Sequence, residues 1–201
     1  MYLTVQGWGV PSTVPRRTQG ERSAAMQATL VDAATELLIE RGWAATTAVA
    51  VCERAGCTRG ALVHHYPNLS ALLAHALETV YADLLELAEP APTTLVEGID
   101  RLWAAMGDRR FKAVLEAWSA AGNDPELAAE IAPAIARFAK LVSLDSLQLR
   151  DRERAGFLLV AREAMLGLAL GRSVSGGQPL GHEQTVLRRL RAEAAELDRR
   201  R

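Results

Sequence analysis

Residues 57–66, with the sequence CTRGALVHHY, combine an arginine, two adjacent histidines and a tyrosine on one short predicted helix. Three kinds of chemistry use such side chains: metal binding, general-base catalysis and contact with a nucleic acid. A metal site is disfavoured, because adjacent residues on a helix point about 100° apart. In addition, no cysteine or carboxylate lies at ligand spacing beside the histidines.

The rest of the chain carries no signature of a catalytic centre. It lacks a His-Glu-x-x-His pattern, a Gly-rich phosphate loop and a Glu-x-x-His pair for a di-iron bundle. The stretch GRSVS at 171–175 does not match the Gly-x-Ser-x-Gly nucleophile motif. We therefore expect a protein that is not an enzyme and that uses neither a cofactor nor a metal.

The two cysteines, Cys52 and Cys57, are too few for a disulfide scaffold. Free cysteines are commonly buried as small apolar residues, and the sequence favours this interpretation. A redox-sensing role remains the alternative.

The composition predicts an all-α globular protein. Of the 201 residues, 49% are hydrophobic, 23% are charged and only 5% are aromatic. Alanine, leucine, glutamate and arginine are strong helix formers, and few β-branched residues alternate along the chain. Residues 1–66 hold six arginines and five acids, whereas the remainder holds 17 basic and 19 acidic residues. This slightly basic front permits a DNA-binding module without requiring one.

Start and stop signals divide the chain into helices. Gly42 ends the first helix, and Thr46 is expected to cap the second. Gly56 ends the second helix, Thr58 caps the third, and Pro67 stops it. The predicted helices span 23–41, 47–55, 59–66, 70–88, 94–107, 109–121, 125–147, 151–172 and 182–199.

The two short helices joined by the AGC turn predict a helix-turn-helix, a unit that places its second helix in the major groove of DNA. Arg59, at the start of that helix, could bond guanine in a bidentate manner, worth ~1–3 kcal/mol of discrimination. Gly60 and Ala61 leave space for a close approach. His64 and His65, one turn further on, could reach phosphates.

The spacing of RGW, TT, AG and TRGALVHHYPN within residues 16–85 resembles the DNA-binding domain of the TetR family of bacterial transcriptional regulators. The resemblance implies an all-helical homodimer, in which an N-terminal three-helix DNA-binding domain precedes a C-terminal helical domain that binds a small-molecule effector and dimerises. Effector binding would then release the operator and relieve repression. The implied divisions are a flexible arm at 1–18, the helix-turn-helix domain at 19–68, a connecting helix at 69–88, and the effector-binding and dimerisation domain at 89–201.

The resemblance also assigns DNA contacts by position. The implied contact residues are Thr47, Thr58, Arg59, Gly60, Ala61, His65, Arg16, Arg17 and Arg22. His64 is a further candidate contact because of its place one turn along the helix. Two positions depart from the family pattern, because Val63 replaces a common phosphate-binding tyrosine and Leu69 replaces a common lysine. Losing both contacts should weaken DNA binding and flatten its salt dependence, unless the N-terminal arm compensates.

Bulky residues of the C-terminal part are candidates for the wall of an effector pocket or for ordinary core. The candidates are Trp103, Met106, Phe111, Leu115, Trp118, Phe138, Arg162 and Met165. Arg162 lies on an apolar helical stripe, where a charge is costly unless it is paired. Either an acid, Glu116 or Glu163, pairs with it, or it contacts an anionic or carbonyl group of the effector.

The last two predicted helices carry small and leucine-rich faces that suit a four-helix dimer interface. The candidate interface residues are Leu159, Leu166, Leu170, Val186, Leu187 and Leu190. A two-fold dimer would hold two recognition helices about 34–36 Å apart on a palindromic, double-stranded operator.

No secretory signal or membrane span is visible, because the most apolar stretch, 155–171, is interrupted by Arg162 and Glu163. We expect a cytoplasmic protein that does not bind membranes. The rival interpretation is a helical ligand-binding or adaptor protein whose DNA-binding part is weakened. Val63 and Leu69 are the residues that keep this alternative open.

Overall fold

The computed structural model describes residues 18–142 and 152–200, and every regular element within these ranges is a helix. This confirms the predicted all-α fold. The described helices are α1 (Gln19–Arg41), α2 (Ala48–Ala55), α3 (Arg59–His65), α4 (Leu69–Glu86), α5 (Leu95–Met106), α6 (Phe111–Ala121), α7 (Pro125–Val142), α8 (Arg152–Val174) and α9 (Glu183–Arg199). None of these helices is long and apolar enough to cross a membrane.

Helices α1 to α3 and the first half of α4 pack around one small core, and we call this unit the head. Leu37, Val51 and Leu72 have no exposed surface there, and Leu62 contributes from the middle of α3. Burying each such side chain stabilises the fold by ~1.5–3 kcal/mol. Helices as short as α2 and α3 are marginal alone, so this core holds them in place.

Capping residues set where the short helices begin. Thr58 caps α3, as predicted. The cap of α2 is Thr47, whose hydroxyl accepts the N–H of Ala50 at 3.2 Å. The prediction of Thr46 was wrong, because Thr46 is buried and donates its hydroxyl to the carbonyl oxygen of Gly42 at 2.8 Å.

The first helix starts four residues earlier than predicted because of a capping box. The Thr18 hydroxyl accepts the N–H of Glu21 at 3.2 Å, and the Glu21 carboxylate accepts the N–H of Thr18 at 2.6 Å. These bonds satisfy N–H groups that a helix start otherwise leaves unpaired. Residues 1–17 of the predicted arm lie outside the described residues.

The second half of α4 and helices α5 to α9 surround a larger core, and we call this unit the body. Ile99 and Met165 are fully buried in it. Helix α4 contributes Leu73 to the head core and Leu77 and Leu84 to the body core. Head and body therefore share one continuous helix, which corresponds to the predicted connecting helix at 69–88.

Two partly buried ion pairs fix α8 against α9. Glu183, 1% exposed, accepts from Arg172 Nε at 2.6 Å and Nη2 at 2.7 Å, and Arg172 also donates to the carbonyl oxygen of Gly107. At the other end, Arg154 Nη2 donates to Asp198 at 2.9 Å. The Asp198 carboxylate also accepts two N–H groups at the start of α5. These groups fix the ends of the body helices without leaving a charge unpaired.

Candidate DNA interface and candidate effector pocket

The face of α3 that points away from the head core carries the predicted base-contacting residues. The Thr58 hydroxyl accepts the N–H of Ala61 at 3.2 Å, and Arg59 and Gly60 are exposed. On the opposite face, Leu62 is only 3% exposed. The first turn of α3 is thus exposed to solvent, while the opposite face of the same helix is buried in the head core.

Tyr66 holds the end of α3 against α4. Its side chain is 6% exposed, and its hydroxyl lies 2.8 Å from Nδ1 of His75. Burial raises the pKa of Tyr66, so the phenol remains neutral and able to hydrogen-bond this histidine. Helix α3 is therefore fixed at both ends, by the Thr58 cap and by Tyr66.

The two adjacent histidines point in different directions. His64 is exposed and His65 is half-buried, with their rings nearly perpendicular and the centroids 5.1 Å apart. Among the described residues, no three His, Cys, Asp or Glu side chains converge in a way that could hold a metal ion. Both histidines lie in the last turn of α3, where a DNA phosphate could be reached.

The two arginines nearest the α2–α3 turn have different surroundings. Arg54 donates to Glu36 at 2.9 Å and to Glu40 at 2.7 Å. The hydrogen bonds with Glu40 and Glu36 raise the pKa of Arg54, and the bond with Arg54 lowers the pKa of Glu40. Within the described part of the chain, no acid forms an ion pair with Arg59. Of these two arginines, Arg59 is thus the one whose guanidinium forms no ion pair among the described residues.

The remaining predicted DNA contacts lie on the first two helices or before them. Thr47 is exposed at the start of α2, although its hydroxyl also serves as the cap. Arg22 is exposed in the first turn of α1, with Nε 3.5 Å from the carbonyl oxygen of Thr18. Arg16 and Arg17 lie outside the described residues.

The two positions that depart from the family pattern carry no polar group. Val63 is 58% exposed, and Leu69 is half-buried against the head core. Helix α4 begins at Leu69 instead of the predicted Ser70, because the side chain of Asn68 accepts the N–H of Ala71 at 2.7 Å. The α3 surface next to the histidines is therefore apolar at Val63.

A mainly apolar cavity of about 240 Å³ lies between α5, α6, α7 and α8 in the body. Three predicted pocket residues, Met106, Trp118 and Arg162, line it. Trp118 is positioned by its Nε1–H, which donates to the hydroxyl of Tyr81 at 2.8 Å. Burial raises the pKa of Tyr81 to about 12, so this phenol is neutral and keeps its proton.

The charge of Arg162 is neutralised by its neighbour in the chain. Arg162 Nη2 and Nε donate to Glu163 Oε1 at 2.7 and 3.0 Å, and both residues line the cavity. Of the two acids considered from the sequence, the partner is Glu163, since Glu116 binds the head instead. The cavity wall thus combines one guanidinium and one carboxylate with apolar side chains.

The other predicted pocket residues lie elsewhere in the body. Phe111 is 1% exposed and borders a second cavity, of about 310 Å³, with Met106 and Arg172, whereas Met165 is fully buried in the core. The guanidinium carbon of Arg172 lies 5.1 Å from the centroid of the Trp103 ring. Leu115 is half-buried against the body core, and the side chain of Phe138 is outside the described part of the structure. Helical spacing marks these residues as inward-facing, but it does not separate a cavity wall from close-packed core.

Four residues of the cavity wall were not predicted as pocket residues: Ile135, Ala139, Glu163 and Leu166. Of these, Leu166 was predicted to lie in the dimer interface. Ile135 and Ala139 are four positions apart on α7 and therefore share one helical face. That spacing was a usable signal, but an alanine and an isoleucine do not stand out as ligand-binding residues.

The candidate dimer residues divide into buried and exposed groups. Leu187 and Leu190 are 1% and 8% exposed in the body core of this chain, so they are not available to a partner subunit. The sequence misassigned them because a helical stripe does not show whether it faces its own core or another chain. Leu159 and Leu170 are 55% and 54% exposed, and Val186 is half-buried.

Exposed apolar side chains continue along α8 beyond the predicted residues. Val160 is 65% exposed and Val174 is 82% exposed. A Cβ atom added at Gly156 or at Gly167 on the same helix would meet no atom within 4 Å. An apolar and locally open surface therefore runs along α8.

Helix α6 connects the cavity with the head through a contact that the sequence did not predict. Glu116 Oε2 accepts the backbone N–H of Trp43 at 2.5 Å, across the junction of head and body. The preceding Gly42 has φ 84°, and a Cβ atom there would overlap the Glu116 carboxylate. Trp118, two residues further along α6, lines the cavity. One helix thus contacts both the cavity and the end of α1.

A family model for the bacterial regulatory proteins of the tetR family matches residues 30–76, a range that contains all of α2 and α3. The HTH-type transcriptional regulator CymR of Pseudomonas putida is 32% identical over 119 residues. That alignment covers 56% of this chain and 59% of CymR, so the chain spans less than two thirds of this relative.

Solved structures share the fold over most of the chain. A transcriptional regulator from Rhodococcus sp. Rha1 superposes with a TM-score of 0.66 and 20% identity, covering 85% of this chain and 96% of that one. The multidrug binding protein EbrR, in complex with imidazole, gives a TM-score of 0.58 and 20% identity, covering 82% and 93%. Identities this low show the fold alone. The segment 30–76 is therefore similar to the tetR family of bacterial regulatory proteins, and the chain is similar to CymR in sequence and to these solved regulators in fold.

Proposed function

We propose that this protein is a DNA-binding transcriptional regulator that inserts α3 into the major groove. The observation that carries the proposal is the display of Thr58, Arg59 and Gly60 on a helix whose opposite face is buried in the head core. A short helix supported in this way can enter the groove without changing its own structure. The family match over residues 30–76 supports the same conclusion independently.

Direct sequence recognition falls to the start of α3. Arg59 reaches a guanine edge, and the small Gly60 and Ala61 let the helix approach the bases closely. Thr58 lies at the same end and serves as both cap and contact.

Phosphate contacts position the head on the duplex. Thr47 at the start of α2, Arg22 in α1, and His64 and His65 at the end of α3 provide polar groups of suitable type. With Val63 apolar, these contacts are few, so we expect modest affinity and a shallow dependence on salt.

The functional unit is a homodimer that joins through α8. The exposed Leu159, Val160, Leu170 and Val174 form an apolar surface that a second copy would cover, with Val186 of α9 at its side. The two-fold symmetry of such a dimer matches a palindromic operator, with half-sites about 34–36 Å apart. Because the DNA of a bacterial cell lies in the cytoplasm, the proposed place of action is the cytoplasm.

The effector is a small molecule that enters the body cavity. A volume of about 240 Å³ admits a compact ligand, with apolar contacts from Met106 and Trp118. Arg162 binds an anionic or carbonyl group of that ligand in competition with Glu163. Helix α6 then moves with its ligand, and the Glu116–Trp43 contact passes this movement to the head, so that the operator is released and repression ends.

The test is a mobility-shift assay with DNA from the region upstream of the protein's own gene. The wild-type dimer is expected to retard one fragment, and unlabelled non-specific duplex should compete poorly. A folded dimer that retards no fragment at low salt would overturn the proposal. That outcome would favour the alternative of a helical adaptor, for which the apolar Val63 and Leu69 are the supporting observations.

A further inference from the structure

The two cysteines of the chain lie on either side of the turn that leads into α3. Gly56 adopts the left-handed conformation, with φ 62° and ψ 34°. The N–H of Cys57 donates to the carbonyl oxygen of Cys52 at 3.0 Å, and the N–H of Gly56 donates to the carbonyl oxygen of Glu53 at 3.4 Å. This pair of bonds defines a Schellman helix end, in which the side chains at the positions of Cys52 and Cys57 meet.

The two thiols differ in accessibility. Cys52 is 8% exposed within the head core, whereas Cys57 is half-buried at the surface, and both are free. Burial raises the pKa of the Cys52 thiol, and the neighbouring Cys57 thiol raises it further. An oxidant in solvent therefore meets Cys57 first, while Cys52 remains a protected thiol beside it.

The backbone geometry suits a bond between these sulfurs. A disulfide needs Cα atoms about 4.4–6.8 Å apart, and a backbone hydrogen bond between Cys52 and Cys57 themselves keeps them close. The chain contains only two cysteines, so no other intramolecular pairing competes.

We propose that Cys52 and Cys57 are a redox modification site that closes an intramolecular disulfide when a peroxide oxidises the head. The Cys57 thiolate attacks hydrogen peroxide, giving a sulfenic acid and hydroxide. The Cys52 thiol then displaces the sulfenic hydroxyl as water and forms the S–S bond. Two thiols lose two electrons and two protons in total, and the peroxide is reduced to two molecules of water. A dithiol reductant reverses the modification by exchange.

The disulfide would act on the part of the head that reads DNA. Cys57 immediately precedes Thr58, which caps α3, and lies two residues before Arg59. An S–S bond of about 2.05 Å is shorter than the contact between two thiols, so closing it pulls the start of α3 toward α2. This consequence rests on the proposed DNA-binding function, whereas the disulfide itself does not.

The sequence allows the bond to be mapped directly. Trypsin cleaves after Arg41, Arg54 and Arg59, so Cys52 and Cys57 fall in the separate peptides 42–54 and 55–59. The full chain is reduced, freed of reductant, treated with hydrogen peroxide, blocked with a thiol alkylator and digested without reductant. We expect one linked species of these two peptides by mass spectrometry, and its loss after dithiothreitol.

Two variants serve as controls for the mapping. Cys57→Ser should give no linked peptide. Cys52→Ala should leave the sulfenic acid of Cys57 unresolved and open to labelling by dimedone. Retention of both free thiols in the wild type, or a link only between two copies of peptide 55–59, would overturn the proposal.

A mobility-shift assay on the same samples separates the modification from its consequence. Oxidation should weaken operator binding about tenfold, the loss expected if one base contact is displaced, and dithiothreitol should restore it. Unchanged binding by the disulfide form would overturn the regulatory consequence. Failure of the reduced protein to bind any fragment would instead overturn the proposed function, and the peptide map would still decide whether the site exists.

Discussion

Replacing Glu116 by alanine should weaken the junction between head and body. Glu116 accepts the backbone N–H of Trp43 at 2.5 Å and lies 3.4 Å from the ammonium group of Lys112. A hydrogen bond to a charged group contributes ~1.5–3 kcal/mol. Because the Glu116 side chain is 30% exposed, solvent screens this bond, and we expect Glu116→Ala to lower the free energy of unfolding by about 1.5 kcal/mol. The partly exposed Lys112 pair adds only ~0.3–0.5 kcal/mol.

Urea unfolding followed by the helical circular dichroism signal measures this loss as a change in the free energy of unfolding. Glu193→Ala is the matched control, because Glu193 also lies on a helix and pairs with Arg189 at 3.7 Å, but on α9 and more exposed. The control should change stability by less than about 0.5 kcal/mol. The stability loss in Glu116→Gln should lie between those of Glu116→Ala and Glu193→Ala, since the glutamine amide oxygen can accept the same hydrogen bond. Equal losses in Glu116→Ala and Glu193→Ala would refute the reasoning.

Three further predictions concern the body pair, the arm and the cavity. The bonds with Arg172 hold the pKa of Glu183 below its ordinary value of 4.5, so the pair stabilises the fold above pH 4.5 and its contribution is lost as the pH falls through the lowered value. Glu183→Gln should therefore lower the free energy of unfolding by about 3 kcal/mol at pH 7 and by less in acid. Urea unfolding of variant and wild type at several pH values measures this loss. A loss that does not change with pH would contradict the prediction. Deleting residues 1–17 removes Arg16 and Arg17, and if the arm supplies phosphate contacts, the slope of log affinity against log salt should fall by about 2. Unchanged affinity and slope would exclude compensation by the arm. Small apolar carboxylic acids that bind the cavity should raise the melting temperature of the wild type, and Arg162→Ala should remove most of this rise. The rise caused by the corresponding amides should be reduced less. Equal reductions for acids and amides would argue against the proposed contact.

Much of the head could be predicted because its signals are local. Thr58, Gly56 and Gly42 lie at helix ends, where a hydroxyl or a positive φ is needed within a few residues of the chain. The earlier start of α1 was also detectable, since Thr18 and Glu21 have the spacing of a capping box.

The remaining features depend on tertiary packing. Of the adjacent Thr46 and Thr47, only the fold decides which hydroxyl turns inward and which caps the helix. Glu116 accepts a hydrogen bond from Trp43, 73 positions away, and no local sequence pattern predicts that contact. Leu187 repeats with the period of an apolar stripe, but periodicity does not distinguish the core of its own chain from a partner's surface.

The most direct test of the central claim compares Arg59→Ala with the wild type on operator DNA and on a non-specific duplex at one fixed salt concentration. If Arg59 reads a base, operator affinity should fall about 5- to 150-fold, corresponding to ~1–3 kcal/mol, and non-specific affinity should change far less. Arg188→Ala, at an exposed position on α9, should leave both affinities unchanged. A folded Arg59→Ala variant that binds the operator as tightly as the wild type would contradict the account.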